Sequence, residues 1–164
     1  MVPLVTRRSG AAILALALAA SVPAAGNAVN TEPGDDGIVK VRSVYSMDDT
    51  INRLKQDVAA KGIMFFAAID QAKLAAGAGI NLHPSTLLLF GNPALGVQFI
   101  TSNAQAGLDW PVRLLVTQDE TGAVWAVYTD FAWIARRHHI KDRDAAFAKA
   151  TEVITSITAS VQAR

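Results

Sequence analysis

Apolar positions along residues 38–164 follow two periods, one typical of strands and one typical of helices. Alternating or short continuous apolar runs predict strands at 38–45, 63–69, 86–90, 111–117 and 123–129. Apolar residues three and four positions apart predict helices that begin near Ser46, Asp70, Asn92, Asp130 and, for the last one, Asp142 or Asp144. The order β-α-β-α-β-α-β-β-α-α predicts a single α/β (α+β) domain, with helices packed on a mixed sheet of about five strands.

Residue types at the helix starts support these boundaries. Ser46 with Asp49 three positions later resembles a capping box, and Asp70, Asn92 and Asp130 are residue types that cap helix N-termini. The apolar run at 63–69 is continuous, which predicts a strand covered on both faces.

The strands at 111–117 and 123–129 are joined by a polar stretch containing Gly122, which predicts a β-hairpin. The symmetric register pairs Arg113 with Tyr128 on a face of mixed polarity. The other face is apolar and should pack against the core; it is formed by Val112, Leu114, Val116, Trp125 and Val127. Arg113 and Tyr128 would then suit a carboxylate or another anionic group. The alternative is a cross-strand pair whose guanidinium reaches solvent.

The apolar pattern of residues 1–28 differs from that of the domain. Arg7 and Arg8 precede an apolar run at 10–20, and small residues follow it. This arrangement is typical of a secretory signal peptide, and the run is shorter than the roughly 20 apolar residues of a membrane-spanning helix. We therefore predict a signal peptide at 1–28, a flexible lead-in at 29–37 and one domain at 38–164.

The predicted localisation is export, to the periplasm or outside the cell. Cleavage after Ala24 and cleavage after Ala28 both fit the small residues at the end of the leader. The general secretory route is favoured over the twin-arginine route, because the arginine pair is followed by Ser9 and small residues rather than bulky ones.

Charge and composition narrow the classes of partner. The chain has 164 residues, a net charge of +1 and no cysteine. Removing residues 1–28 takes away two arginines and no acidic residue, which leaves 136 residues at a net charge of −1. This near-neutral charge argues against nucleic acid, and against a membrane surface after cleavage. Without cysteine the chain has no disulfide, thiolate nucleophile or cysteine zinc site.

Four short segments carry a resemblance to a known family. They are FAAID at 66–70, LHP at 82–84, LFGNPALG at 89–96 and GLDWPVR at 107–113. With them, residues 43–161 resemble the family catalogued as "domain of unknown function 302". The resemblance implies a compact α/β domain with a mixed sheet, able to dimerise, and it implies no established activity. Many members look to have His where this chain has Gln71, and an aliphatic residue where it has Trp110.

Polar residues at strand ends are the candidate ligand-binding residues. Asp70, Asn92 and Asp109 lie at strand ends or turns, and we expect them to converge at one end of the sheet, where α/β folds often bind ligands. Gln71, Arg113 and Tyr128 complete the candidate set. The alternative is local: helix capping by Asp70 and Asn92, and a turn hydrogen bond from Asp109.

No motif in the sequence indicates catalysis, a metal or a cofactor. The chain has no G-x-S-x-G, phosphate-binding loop, H-E-x-x-H or dinucleotide fingerprint. His138 and His139 point about 100° apart on a helix, which makes them poor joint ligands, and they suit a solvated helix C-terminus with Arg136 and Arg137. No catalytic residue, metal site or cofactor is predicted.

The sequence therefore favours an exported, non-enzymatic module that binds a small molecule or a partner protein. Two alternatives stay open. One is an enzyme of unrecognised type that uses Asp70 or Asp109 as general base, and the other is a structural homodimer that buries the hairpin or the last helix.

Overall fold

The computed structural model describes residue 1, residues 30–31 and residues 33–163. The strands are β1 (Asn30–Thr31), β2 (Ile38–Ser43), β3 (Met64–Asp70), β4 (Ser85–Gly91), β5 (Val112–Gln118) and β6 (Val124–Thr129). The helices are α1 (Met47–Ala60), α2 (Gln71–Gly77), α3 (Pro93–Ser102), α4 (Phe131–Arg137) and α5 (Asp144–Ala159), with a 3-10 helix at Ala104–Leu108. Apart from residue 1, the predicted signal peptide lies outside the described residues, so export stays a prediction.

The predicted order of strands and helices from residue 38 onward is confirmed, as is the α+β class. The side chains of Ser46, Asp70, Asn92 and Asp130 each accept a hydrogen bond from a backbone N–H in the first turn of the helix that follows. These caps were predictable because they depend only on neighbouring residues. The structure adds the two-residue strand β1 and the 3-10 helix.

The expectation of a mixed sheet is wrong, since every strand pair among the described residues is antiparallel. The strand order is β1-β2-β6-β5-β4-β3. Strands β2 and β3 run in the same direction, but β6, β5 and β4 lie between them, so they never pair. The connections through α2 and α3 each return the chain to the adjacent strand in the opposite direction. A helix between two strands thus gave no parallel pair here.

The hairpin register differs by one residue from the symmetric prediction. Leu114 pairs with Tyr128, not Arg113. The cause lies in the loop, where the Asp119 carboxylate accepts bonds from the backbone N–H of Ala123 (3.0 Å) and from the Trp125 indole (2.8 Å). A shift of one residue moves the side chains of β6 to the opposite face relative to those of β5. Tyr128 therefore lies on the core face with Leu114, whereas Arg113 lies on the other face.

Helices α1 and α5 pack on the same side of the sheet, where they contact each other, and α1 also contacts β3 and β5. The side chains between these layers are almost fully buried, among them Leu54, Leu88, Leu114, Ile154 and Ile157. Each contributes about 1.5–3 kcal/mol relative to an exposed position. The opposite face carries a row of paired, partly exposed apolar residues, namely Ile69, Leu87, Leu115 and Val127.

Strand β3 is an edge strand rather than one covered on both faces. Its pairing with β4 shifts between Phe65 and Ala67, which is a β-bulge. Phe66, at the bulge, is 42% exposed. No helix among the described residues has the length and apolarity needed to cross a membrane.

Candidate functional site

Strand directions decide which of the predicted site residues meet. Asn92 follows β4 and Asp109 precedes β5, and these antiparallel strands bring Phe90 opposite Val112. Both residues therefore lie at the same end of the sheet. Asp70 pairs with Thr86 at the start of β4, which is the opposite end. The predicted convergence of Asp70 with Asn92 and Asp109 is wrong, because it assumed that neighbouring strands run parallel.

Asp70 and Gln71 have local roles at the start of α2. The Asp70 carboxylate is exposed and accepts a hydrogen bond from the backbone N–H of Lys73 at 2.8 Å. The Gln71 side-chain oxygen accepts a bond from the Ser85 hydroxyl at 2.7 Å, which ties α2 to β4. These contacts match the capping alternative for Asp70.

Asp109 is the centre of an ionic cluster, formed by Asp109, Arg113, Arg137 and His138. The Asp109 side chain is only 2% exposed. Arg113 donates from Nη2 to Oδ1, and Arg137 donates from Nη1 to Oδ1 and Oδ2 at 3.3 and 3.2 Å. His138, also buried, places Nε2 at 2.6 Å from Oδ2. The cluster joins the end of the 3-10 helix, β5 and the C-terminus of α4.

The bonding of Asp109 determines what this cluster can do. A carboxylate has about four lone-pair positions, and Asp109 receives four contacts from its three partners. It is thus fully used in orienting Arg113, Arg137 and His138. The two arginine side chains remain 48% and 44% exposed, so their other N–H groups can reach a ligand.

A mostly apolar pocket lies at this same end of the sheet, between β4, α3 and α5. It has a volume of about 550 Å³, and its wall includes Phe90, Leu95, Phe99, Trp110 and Val153. The Trp110 indole packs directly on α3. A Cβ atom added at Gly96 would lie 1.8 Å from the indole nitrogen, which explains a glycine inside this helix. We call this cavity the Trp110 pocket.

The Trp110 pocket also carries a few polar groups. The Trp110 indole N–H bonds to no other residue within the described part of the chain. Asn92 lines the pocket while its side-chain oxygen caps α3. Lys61 and Lys149 also line it. Lys61, at the end of α1, forms an ion pair with Asp57 at 2.6 Å, and Lys149 forms one with Glu152 within α5 at 2.9 Å. An apolar cavity with few polar groups is the usual form of a small-molecule site.

Tyr128 does not join either feature. It lies on the core face opposite Leu114 and Val39, and its hydroxyl bonds to Thr155 of α5. Burial raises the pKa of Tyr128 above its ordinary value, and the bond to Thr155 opposes this effect. The predicted Arg113–Tyr128 pair is therefore wrong.

Sequence reasoning missed the roles of Arg137 and His138, which it assigned to a solvated helix end. The sequence contains one indication that His138 is buried. Phe131, Ile134 and His138 are three and four positions apart, the spacing of a buried stripe, and all three are buried. Within the described residues, no three His, Cys, Asp or Glu side chains come together in a way that could hold a metal ion.

The family model and the solved structure that match this chain both carry no assigned function. Residues 39–162 match the model of the "Domain of unknown function DUF302". A crystal structure of an uncharacterized conserved DUF302 protein from Bacillus stearothermophilus has the same fold. Its TM-score is 0.70 at 16% identity, over 77% of this chain and 98% of that one.

Curated relatives in Brucella are longer than the matched region. The chain is 37% identical over 106 residues to "Fluoride-specific ion channel FluC 1" of Brucella suis, which covers 65% of this chain and 42% of that protein. The match to "Fluoride-specific ion channel FluC 2" of Brucella melitensis has the same identity and covers 39% of that protein. The chain thus spans about two-fifths of the length of these relatives. Since the family model covers most of the chain, the protein belongs to the DUF302 family.

Proposed function

We propose that this protein is an exported, non-enzymatic binding domain that takes a small molecule into the Trp110 pocket. The observation that carries the proposal is the cavity itself, about 550 Å³ with mostly apolar walls. Small-molecule pockets have volumes of about 300–1,000 Å³ and such walls. Export rests on the predicted signal peptide at 1–28.

The chemistry of the pocket favours a ligand with an apolar body and one anionic or acceptor group. The apolar walls would bury the body, and the Trp110 N–H can donate a hydrogen bond to the polar group. Lys61 and Lys149 line the cavity; each ammonium pairs with one carboxylate, Asp57 or Glu152, and keeps further N–H donors for an anionic group. Long lysine side chains can contact apolar surface while their ammonium groups stay in water.

The test is a titration of the chain with dodecanoate and with dodecanol, followed by Trp fluorescence and by thermal shift. We expect saturable binding of both probes, with dodecanoate tighter. Val153→Trp places a large side chain in the cavity and should abolish binding. Ala148→Trp, on the exposed side of the same helix, is the matched control and should bind as the parent does.

Two results would refute the proposal. One is no saturable binding of either probe. The other is equal binding by the Val153→Trp variant and by the parent, which would place the probe elsewhere.

The geometry favours a binding role over the enzyme alternative. Asp70 is an exposed helix cap, and Asp109 has all its acceptor positions occupied. Neither offers a free, enclosed carboxylate to a substrate proton. The homodimer alternative stays a prediction, and light scattering at micromolar concentration measures it directly.

Fluoride binding is a second candidate, favoured by the names of the Brucella relatives. The measurement is the ¹⁹F NMR line of sodium fluoride with and without the protein. Binding would broaden or shift the line, and an unchanged line at millimolar protein would refute this candidate.

A further inference from the structure

We propose that Arg113 and Arg137 together form a binding site for an oxyanion such as a carboxylate or a phosphate. This site is separate from the Trp110 pocket. Both guanidinium groups bond to the same oxygen of Asp109. They therefore lie side by side, although one arginine belongs to β5 and the other to the end of α4. Neither arginine lines the Trp110 pocket.

The charges of the cluster leave an excess of positive charge for a ligand. Two arginines face one carboxylate, and His138 bonds to that same carboxylate. Each guanidinium has five N–H donors in a planar fork. Arg113 uses Nη2 and Arg137 uses Nη1 for Asp109. The remaining donors lie on side chains that are nearly half exposed, and this geometry suits two-point binding of an oxyanion.

Both arginines are held in place before any ligand arrives. Asp109 is buried and anchored by His138, so it fixes one end of each guanidinium. The Trp133 ring supports Arg137 from the side, with the guanidinium carbon 5.5 Å from the ring centroid. A site whose side chains are already ordered loses less conformational entropy on binding.

The space around the cluster limits where the anion can sit. The gap lined by Asp109, Arg113 and Thr129 has a volume of about 10 Å³, which is room for about one water molecule. The oxyanion must therefore bind on the outer, exposed side of the guanidinium groups.

The experiment is isothermal titration calorimetry of the full chain with sodium phosphate, sulfate and acetate at constant ionic strength. Arg113→Gln and Arg137→Gln should each weaken binding by roughly 10- to 100-fold, the effect of losing a hydrogen bond to a charged group. Arg136→Gln is the matched control, because Arg136 is the exposed neighbour of Arg137 and makes no bond to Asp109. It should bind within about twofold of the parent. The ratio of phosphate to acetate affinity identifies which oxyanion the site prefers.

The proposal is overturned if none of the three oxyanions binds, or if Arg136→Gln weakens binding as much as the other two variants. Thermal melts show whether each variant is folded. If Arg137→Gln does not fold, Arg137→Lys keeps the charge but loses the planar fork, and it should still weaken binding at least about tenfold. The Val153→Trp variant, with its pocket filled, should bind the oxyanion as the parent does. A result that refutes the oxyanion site can thus be distinguished from a result that refutes ligand binding in the Trp110 pocket.

Discussion

Replacing Asp109 with alanine should destabilise the domain strongly, because the carboxylate is the shared partner of three side chains. His138 is buried and would lose its bond to the carboxylate, which costs about 1–3 kcal/mol. Arg113 and Arg137 are nearly half exposed and can turn to water, so each lost pair adds at most about 1 kcal/mol. The free energy of unfolding should therefore fall by about 1–5 kcal/mol, out of the 5–15 kcal/mol typical of a domain.

Urea unfolding at pH 7, followed by Trp fluorescence and circular dichroism, measures this change. Asp57→Ala is the matched control, since it removes an aspartate from a partly exposed pair with Lys61 and should cost at most about 1 kcal/mol. The variant His138→Ala and the double variant complete a cycle whose coupling energy should be about 1 kcal/mol or more. A loss below about 0.5 kcal/mol for Asp109→Ala would refute the reasoning, because it would mean that the buried bonds are replaced by water at no cost.

Two further predictions concern the pocket wall and the hairpin loop. Gly96→Ala should destabilise the domain and change the Trp fluorescence, because the new Cβ would clash with the Trp110 indole. This effect should exceed the helix preference of alanine over glycine, which is about 1 kcal/mol. Unchanged Trp emission would contradict this prediction. The bonds to Thr121 and Trp125 lower the pKa of Asp119 from 3.8 to about 2, so its contribution to stability is present above about pH 4 and is lost as the pH falls through 2. In urea titrations between pH 5 and pH 2, the stability difference between the parent and Asp119→Asn should shrink with falling pH, and a constant difference would contradict the assignment.

The parts of the fold that depend on neighbouring residues were predictable from the sequence. Ser46, Asp70, Asn92 and Asp130 cap their helices as expected, because capping needs only a side-chain oxygen and the next turn of backbone. The hairpin register depended on one more fact, the way Asp119 binds its own loop and Trp125. That contact was not visible in the alternation of apolar residues, and the prediction was wrong by one position.

The candidate site was less predictable because it is built from distant parts of the chain. Asp109 and Arg113 were named from the sequence, but the other two partners of Asp109, Arg137 and His138, lie at the C-terminal end of α4, 28 and 29 residues further along the chain. Burial of His138 follows from the packing of α4, which a sequence pattern indicates only weakly. Asp70 was placed with the wrong residues since strand direction is a property of the whole sheet.

The bulge in β3 bears on whether a strand of another molecule can pair with this edge of the sheet. An edge strand presents backbone N–H and C=O groups that can pair with a strand of another molecule. The bulge between Phe65 and Ala67 breaks the regular spacing of those groups, and α2 begins directly after the strand ends at Asp70. Only a few residues of uninterrupted edge remain on this side, so the same irregularity that exposes Phe66 also guards against edge-to-edge aggregation.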